Sequence, residues 1–299
     1  METTIGKQRL LVRNTKDLLS PSTRMCHLVH AEGKKGKTTL GGSLDQFTRK
    51  YRSKPTIAIA FEAAEGGGTA TLSTVDALRE HGIDYVMPQN HSEVDDVLAW
   101  LSQDTKYGGI LFDNASDYVK NIVQPYSLSF PSREHQQVRT MGVPDRGDYQ
   151  SMGEFVRQQL SRLVAITRHT NPDIRKDLVV MALTKDKTST DGKTLLATQP
   201  ALPGEMASTA VAMFQTVSTI RVKNRVVPDP RNPKTTMRVN GRVLVSDSDG
   251  VLVAGDRWKV LPREYDLTAE NGETKGFVEI YEECWVPRLK ELGKWEGAA

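Results

Sequence analysis

In the first 150 residues, short apolar runs alternate with stretches whose apolar positions recur at helical spacing. MCHLVH (25–30) is the first run; a glycine-containing loop and the helix-like TTLGGSLDQFTRKY (38–51) follow it. PTIAIAF (55–61) has the pattern of a second buried strand and ends in EAAEGGG. A helical stretch around TVDALREHG (74–82) leads to a short strand, IDYVM (83–87). SEVDDVLAWLSQ (92–103) opens on Ser92 and reads as a capped amphipathic helix, and GGILFDN (108–114) as another buried strand. Such alternation predicts an α/β fold: a mainly parallel sheet with helices on both faces.

Residues 125 to 150 are polar and read as an ordered loop or insertion, before a long helix, SMGEFVRQQLSRLVAITRH (151–169), and a strand, DLVVMALT (177–184). KDKTSTDGKTLLATQPALPG (185–204) fits a protruding loop or hairpin, and EMASTAVAMF (205–214) a helix. Beyond residue 215 the pattern changes to β-branched alternation in TVSTIRV, TTMRV and RVLVS, with Asn240-Gly241 as a two-residue hairpin signal and SDSDG (246–250) as a second turn. These segments predict a C-terminal antiparallel extension of the sheet, followed by a tail whose short helix breaks at Pro287. The expected organisation is an N-terminal segment (1–24), one core domain (25–262, its β extension about 216–262) and a tail (263–299).

Composition narrows the class without naming a function. The 299 residues are 38% hydrophobic and 26% charged, with a mean hydropathy of −0.45. No apolar run approaches a bilayer-spanning length. The first residues lack the apolar segment and cleavage site of a signal peptide, so a cytoplasmic protein with no membrane partner is expected. Two cysteines, Cys26 and Cys284, cannot build a disulfide framework. His27 and His30 lie in a strand, where packing is the expected role. A net charge of +3 is too small to identify a nucleic-acid partner.

Chemistry concentrates in three places. Ala31-x4-Gly36-Lys37-Thr38 fits a phosphate-binding loop between a strand and a helix. Its glycines let backbone N–H groups curl around phosphate oxygens at the positive end of the helix. Glu32, Gly33, Lys34, Lys35, Gly36, Lys37, Thr38 and Thr39 would line the nucleotide; Lys37 would reach the β- and γ-phosphates and Thr38 would ligate Mg²⁺. Lys35 would contribute mainly its backbone, and Lys34 would point outward. Asp113, closing GGILFD, is the candidate metal carboxylate; the competing role is to cap a helix over ASDYVKNIV. Glu65, beyond the second strand and followed by glycines, is the candidate base for an attacking water, with Glu62 as the fallback.

The order of these motifs, with a later strand ending in Thr184, a PALPG segment and a late Gly255-Asp256-Arg257, resembles the RecA-like P-loop ATPases. In particular it resembles the phage-encoded recombination ATPases that promote single-strand annealing, over residues 20 to 262. The resemblance implies a RecA-like core, Glu65 as the catalytic base and Thr184 as a γ-phosphate sensor beside Lys185. It also implies a trans-acting Arg257, here without the family's accompanying lysine, and DNA-binding loops corresponding loosely to 125–150 and 185–203. The implied cofactors are ATP and Mg²⁺. The implied partners are single-stranded DNA, further copies of the chain in a filament or ring, and a single-strand-binding protein, in the host cytoplasm if the chain is phage-encoded.

Arg221, Lys223, Arg225, Arg231, Lys234, Arg238 and Arg242 accompany a single acid, Asp229, between residues 221 and 242. This cluster suits DNA phosphates, or equally the protection of a solvated hairpin edge. The leading expectation is therefore an ATP-hydrolysing recombination protein. Competing readings are a ring helicase or translocase, a P-loop small-molecule kinase, and a nucleotide-gated scaffold that scarcely hydrolyses ATP.

Overall fold

The computed structural model describes residues 2–5, 8–11, 20, 22–61, 82–130, 144, 146–190, 192–229, 232–249, 251–269 and 274–295. A two-stranded antiparallel ribbon, β1 (Glu2–Ile5) and β2 (Gln8–Leu11), precedes the main sheet. The sheet contains β3 (Cys26–Ala31), β4 (Thr56–Ala60), β5 (Asp84–Val86), β6 (Gly109–Asp113), β7 (Asp177–Thr188), β8 (Leu195–Pro200), β9 (Thr216–Asp229), β10 (Asn232–Val245), β11 (Gly255–Asp256) and β12 (Glu264–Asp266). Its order is β12-β10-β9-β3-β7-β6-β4-β5, with β8 paired to β7 and β11 to β9.

From β9 to β5 every neighbouring pair is parallel, whereas β10, β12, β11 and β8 are antiparallel additions. The fold is thus mixed α/β, with a mainly parallel sheet flanked by helices and antiparallel strands near the C-terminus. Among the described residues, no helix is long and apolar enough to cross a membrane.

Alternation along β3 feeds two cores. Cys26 and Leu28 face α2 (His91–Leu101), α5 (Arg146–Thr167) and α6 (Met206–Met213), while Val29 and Ala31 face α1 (Lys37–Arg52). On the α1 side, Leu40, Leu44 and Phe47 pack with Phe277, Ile280, Tyr281 and Trp285 of the C-terminal helical stretch. Gly41 lets α1 lie close on the sheet: a Cβ there would come within 2.8 Å of Leu111 and 2.9 Å of Met181. The far end of α1 is pinned by Arg52, whose guanidinium donates to the fully buried carboxylate of Asp177; that carboxylate also accepts the Met25 N–H at 2.7 Å. An ion pair at this depth anchors the helix to the strand starts.

Several expectations need correction. The cap of α2 is Asn90, not Ser92: its side chain accepts the Glu93 N–H at 3.0 Å, and Glu93 reaches back to the Gln89 N–H. Residues 125–150 are not one loop. They contain α4 (Gln124–Leu128) and the first turn of α5, which starts five residues before Ser151. Asn240-Gly241 makes no turn. It lies inside β10, opposite Asn224 and Lys223, and the chain reverses between Asp229 and Asn232.

Pro287 does not break the tail helix either. A π-helical turn (Tyr281–Trp285) joins α7 (Phe277–Ile280) to α8 (Val286–Glu291). The same device stands before Pro125, where Val119–Val123 is a π-turn between α3 (Ala115–Tyr118) and α4. In both, the residue before proline bonds five residues back, from Val286 to Tyr281 and from Gln124 to Val119. A widened turn relieves the clash between the proline ring and the carbonyl four residues earlier.

Candidate nucleotide-binding site

Because the central strands are parallel, their C-terminal ends open on one side of the sheet, where open α/β sheets bind ligands. Residues 31–37 leave β3 there and turn directly into α1. Gly36, the residue before the helix, has φ 92° and ψ 19°, a left-handed conformation that glycine adopts without steric cost. No side chain caps this helix start and no acid occupies its first turn. The positive end of α1 is thereby left to an external anion. Lys34 also takes a positive φ, 61°, and is exposed, as expected of an outward-pointing residue. Lys35 lies 3.5 Å from the Glu32 carboxylate at the surface.

Lys37 is a different kind of lysine. It is 8% exposed, and its ammonium donates to the carbonyls of Ala31 (3.0 Å) and Glu32 (2.8 Å). The chain closes over its own lysine and holds the charge at the centre of the loop. Beside it, the Thr38 hydroxyl donates to Asp113 Oδ2 at 3.3 Å, a contact between residues 75 apart in sequence. The helix-capping role once open to Asp113 belongs to Asn114, whose side chain accepts the Asp117 N–H at 2.9 Å at the start of α3.

The Thr38–Asp113 pair fits Mg²⁺. Octahedral Mg²⁺ holds oxygens at about 2.0–2.1 Å, so adjacent ligands lie about 2.9 Å apart. The observed separation is a few tenths of an ångström wider. Among the described residues no group of three or more His, Cys, Asp or Glu side chains converges to hold a metal. A cation here would complete its shell with water and phosphate, as Mg²⁺ commonly does.

Glu62 and Glu65 lie outside the described residues. The strand that carries the chain towards them is well placed: Ala60 of β4 pairs with Asp113, and the Phe61 N–H donates to the Asp113 carbonyl at 3.3 Å. Asn121 fixes the same point by donating to the Phe61 carbonyl at 2.7 Å, a role with no local sequence signal.

Thr184 is 3.0 Å from His30 Nδ1. His30 Nε2 lies 2.9 Å from the Val253 carbonyl, which can only accept, so Nε2 carries the proton and Thr184 donates to Nδ1. Burial drives the His30 pKa down to about 4, and that of His27 to about 3, so both imidazoles are neutral packing groups. Arg257 stands at the opposite end of the sheet. It follows β11, which pairs with Thr216 and Val217 at the start of β9, and it donates to the carbonyls of Val211 and Ala212. The structure does not bring it to the β3–α1 loop of its own chain.

The basic cluster divides between the two faces of the β9–β10 ribbon. Arg221 and Lys223 approach Asp249 and Glu264. Arg242 projects from the other face and reaches the loop between β3 and α1. A Cβ on Gly36 would meet its Nε at 3.0 Å, Cδ at 3.2 Å and Cζ at 3.3 Å. Sequence spacing could not have placed Arg242 in this site, because the link runs through two strand registers. The side chains of Arg225, Lys234 and Arg238, and the whole of Arg231, are outside the description.

No protein-family model matches the chain, and no curated protein matches it. Among solved structures it is similar to the flagellar accessory protein FlaH from Methanocaldococcus jannaschii, with a TM-score of 0.41 and 8% identity over 84% of this chain and 86% of that one. The chemistry of the site is carried by its own residues: a buried lysine inside a left-handed loop, and a hydroxyl–carboxylate pair beside it.

Proposed function

We propose that this chain is a Mg²⁺-dependent P-loop ATPase and, more specifically, a RecA-like DNA recombination protein that works as an oligomer on single-stranded DNA. The observation that carries the nucleotide reading is the Thr38–Asp113 contact beside Lys37, at the mouth of an uncapped helix. The recombination reading is supported by the order of motifs from Lys37 through Glu65, Asp113 and Thr184 to Arg257, which resembles the single-strand-annealing ATPases of phages.

In this reading, loop N–H groups and Lys37 hold the phosphates, while Thr38 and Asp113 hold the metal. When bound, Mg²⁺ supplies charge neutralisation for the phosphoryl group. Glu65 orients the attacking water, and Arg257 serves a neighbouring subunit. Most of the acceleration is then electrostatic and positional.

The test is the steady-state ATPase rate across protein concentrations, with and without single-stranded DNA, for wild type, Lys37→Ala and Glu65→Gln. Hydrolysis that rises with assembly and DNA and vanishes in both variants, while Glu65→Gln still binds ATP, is the expected result. A specific rate independent of concentration and DNA overturns the oligomeric DNA reading. Turnover that survives in Glu65→Gln overturns the base assignment.

A further inference from the structure

The register of the sheet explains why Arg242 reaches the loop. In the β3–β9 pairing, His30 is level with Thr219, which puts Ile220 level with the end of β3 and Val222 level with the loop that follows. Val222 pairs with Arg242 across the β9–β10 ribbon, and Ile220 with Leu244. Ile220 and Leu244 are buried in the core beneath α1. Side chains two apart on a strand share a face and are separated by about 7 Å, so Arg242 emerges on the α1 side, one step beyond that core. Its backbone is tied on the outer side too: the Arg242 N–H donates to Thr268 Oγ1 at 2.9 Å, and the Leu267 N–H donates to the Arg242 carbonyl at 2.8 Å.

The side chain is half-buried, and among the described residues its guanidinium has no hydrogen-bond or ion-pair partner. A cation in this position lies against Gly36, at the positive end of α1. Such an arrangement is unfavourable by about 0.3–1 kcal/mol for the helix end alone. An anion in the loop attracts the guanidinium and the helix end alike, and so offsets the repulsion between them.

Sheet order indicates which part of the anion is reached. Asp113, on β6, lies two strands from β3 on one flank of the loop, and Arg242, on β10, lies two strands away on the other. Phosphate oxygens sharing a metal with Thr38 and Asp113 would lie on the first flank. The nucleoside-proximal end of the chain is left to the second.

We propose that Arg242 is a nucleotide-binding residue acting within its own chain, pairing its guanidinium with the α- and β-phosphates of a bound nucleoside di- or triphosphate. This rests on the nucleotide-binding reading of the loop and adds to it a contact blind to the γ-phosphate. It also fastens the β9–β10 ribbon to nucleotide occupancy.

Calorimetric titration of wild type, Arg242→Gln and Arg242→Lys with MgADP and MgATP tests it. Losing a charge-assisted phosphate contact is expected to weaken both nucleotides by a similar factor, about tenfold, with Arg242→Lys falling between Arg242→Gln and wild type. The lysine variant keeps the charge and packing, so it stands in should the glutamine variant fail to fold. Unchanged affinity for both nucleotides in folded variants overturns the proposal. A loss confined to MgATP also overturns it, because the contact would then be to the γ-phosphate. Wild type that binds neither nucleotide overturns instead the reading of the loop itself.

Discussion

Replacing Asp113 with asparagine separates a metal ligand from a structural hydrogen-bond acceptor. In the structure its Oδ2 accepts from the Thr38 hydroxyl at 3.3 Å, and asparagine can keep that contact through its amide oxygen. The folded protein should therefore lose at most about 1 kcal/mol, the net value of a single such bond. The cation is affected differently. An amide carries no charge for Mg²⁺, and the pair of oxygens now set at roughly an octahedral edge becomes one hydroxyl beside a neutral carbonyl. Losses of about 10–100-fold are typical when the environment of a bound metal is damaged. Titrating a fluorescent ATP analogue into wild type and Asp113→Asn, in excess Mg²⁺ and then in EDTA, reads the two contributions apart. Wild type should gain affinity on adding Mg²⁺, and the variant should gain little. In EDTA the two proteins should bind nearly alike, or the variant slightly better for want of a carboxylate facing phosphate. If Asp113→Asn weakens binding equally in both buffers, or in neither, the carboxylate is not the metal ligand and the octahedral-edge argument fails.

Other consequences are open to direct measurement. Gly36→Ala must hold a Cβ at φ 92° and displace Arg242 from 3.0 Å; thermal unfolding should show a loss of about 1–2 kcal/mol, and an unchanged melting temperature would contradict the left-handed loop. Asp177→Ala strands Arg52 at the buried end of α1 and should cost about 3–5 kcal/mol in urea unfolding, whereas a loss under 1 kcal/mol would mean that the ion pair is replaceable by water. His27 and His30 are neutral in the fold, with pKa values near 3 and 4 against about 6.5 in the unfolded chain, so the unfolded state binds more protons below pH 6.5. Stability is then complete above pH 6.5 and falls as pH drops towards 4, by about 2 kcal/mol per histidine at pH 5; His30→Gln should flatten that slope, and an identical slope in the variant would refute the assignment.

What the sequence discloses is local. The strand–loop–helix around Lys37 was legible because apolar run, glycine and helical spacing adjoin one another, and the observed α1 begins one residue before the expected start. The position of Asp113 was legible because a carboxylate closing a buried strand of a parallel sheet must emerge at the sheet's C-terminal edge. The misplaced hairpin shows the limit. Asn240-Gly241 is a strong two-residue signal, but it competes with a ladder running from Thr236 to Val245 against β9, and the ladder prevails. The true reversal falls among Pro228, Asp229, Asn232 and Pro233, a cluster of turn-forming residues whose weight exceeds that of a single dipeptide. The cap of α2 is a similar case: Ser92 and Asn90 both qualify, and Glu93, three residues after Asn90, decides between them.

Arg242 lies beyond any such local rule, and the reason is physical. Its position depends on β9 joining β3 in parallel, on β10 returning antiparallel along β9, and on parity within that second pairing. A slip of one residue in either register would turn the side chain to the opposite face, where Val243 and Val245 pack with Leu252 and Ala254. The register is held by burial: Ile220 and Leu244 can lie beneath α1 only in this alignment, so the same apolar contacts that stabilise the extension aim Arg242 at Gly36. The β9–β10 ribbon is thus both an extension of the core and one wall of the candidate site, and a ligand that drew Arg242 towards the loop would act on the ribbon through β10, a strand paired on both sides.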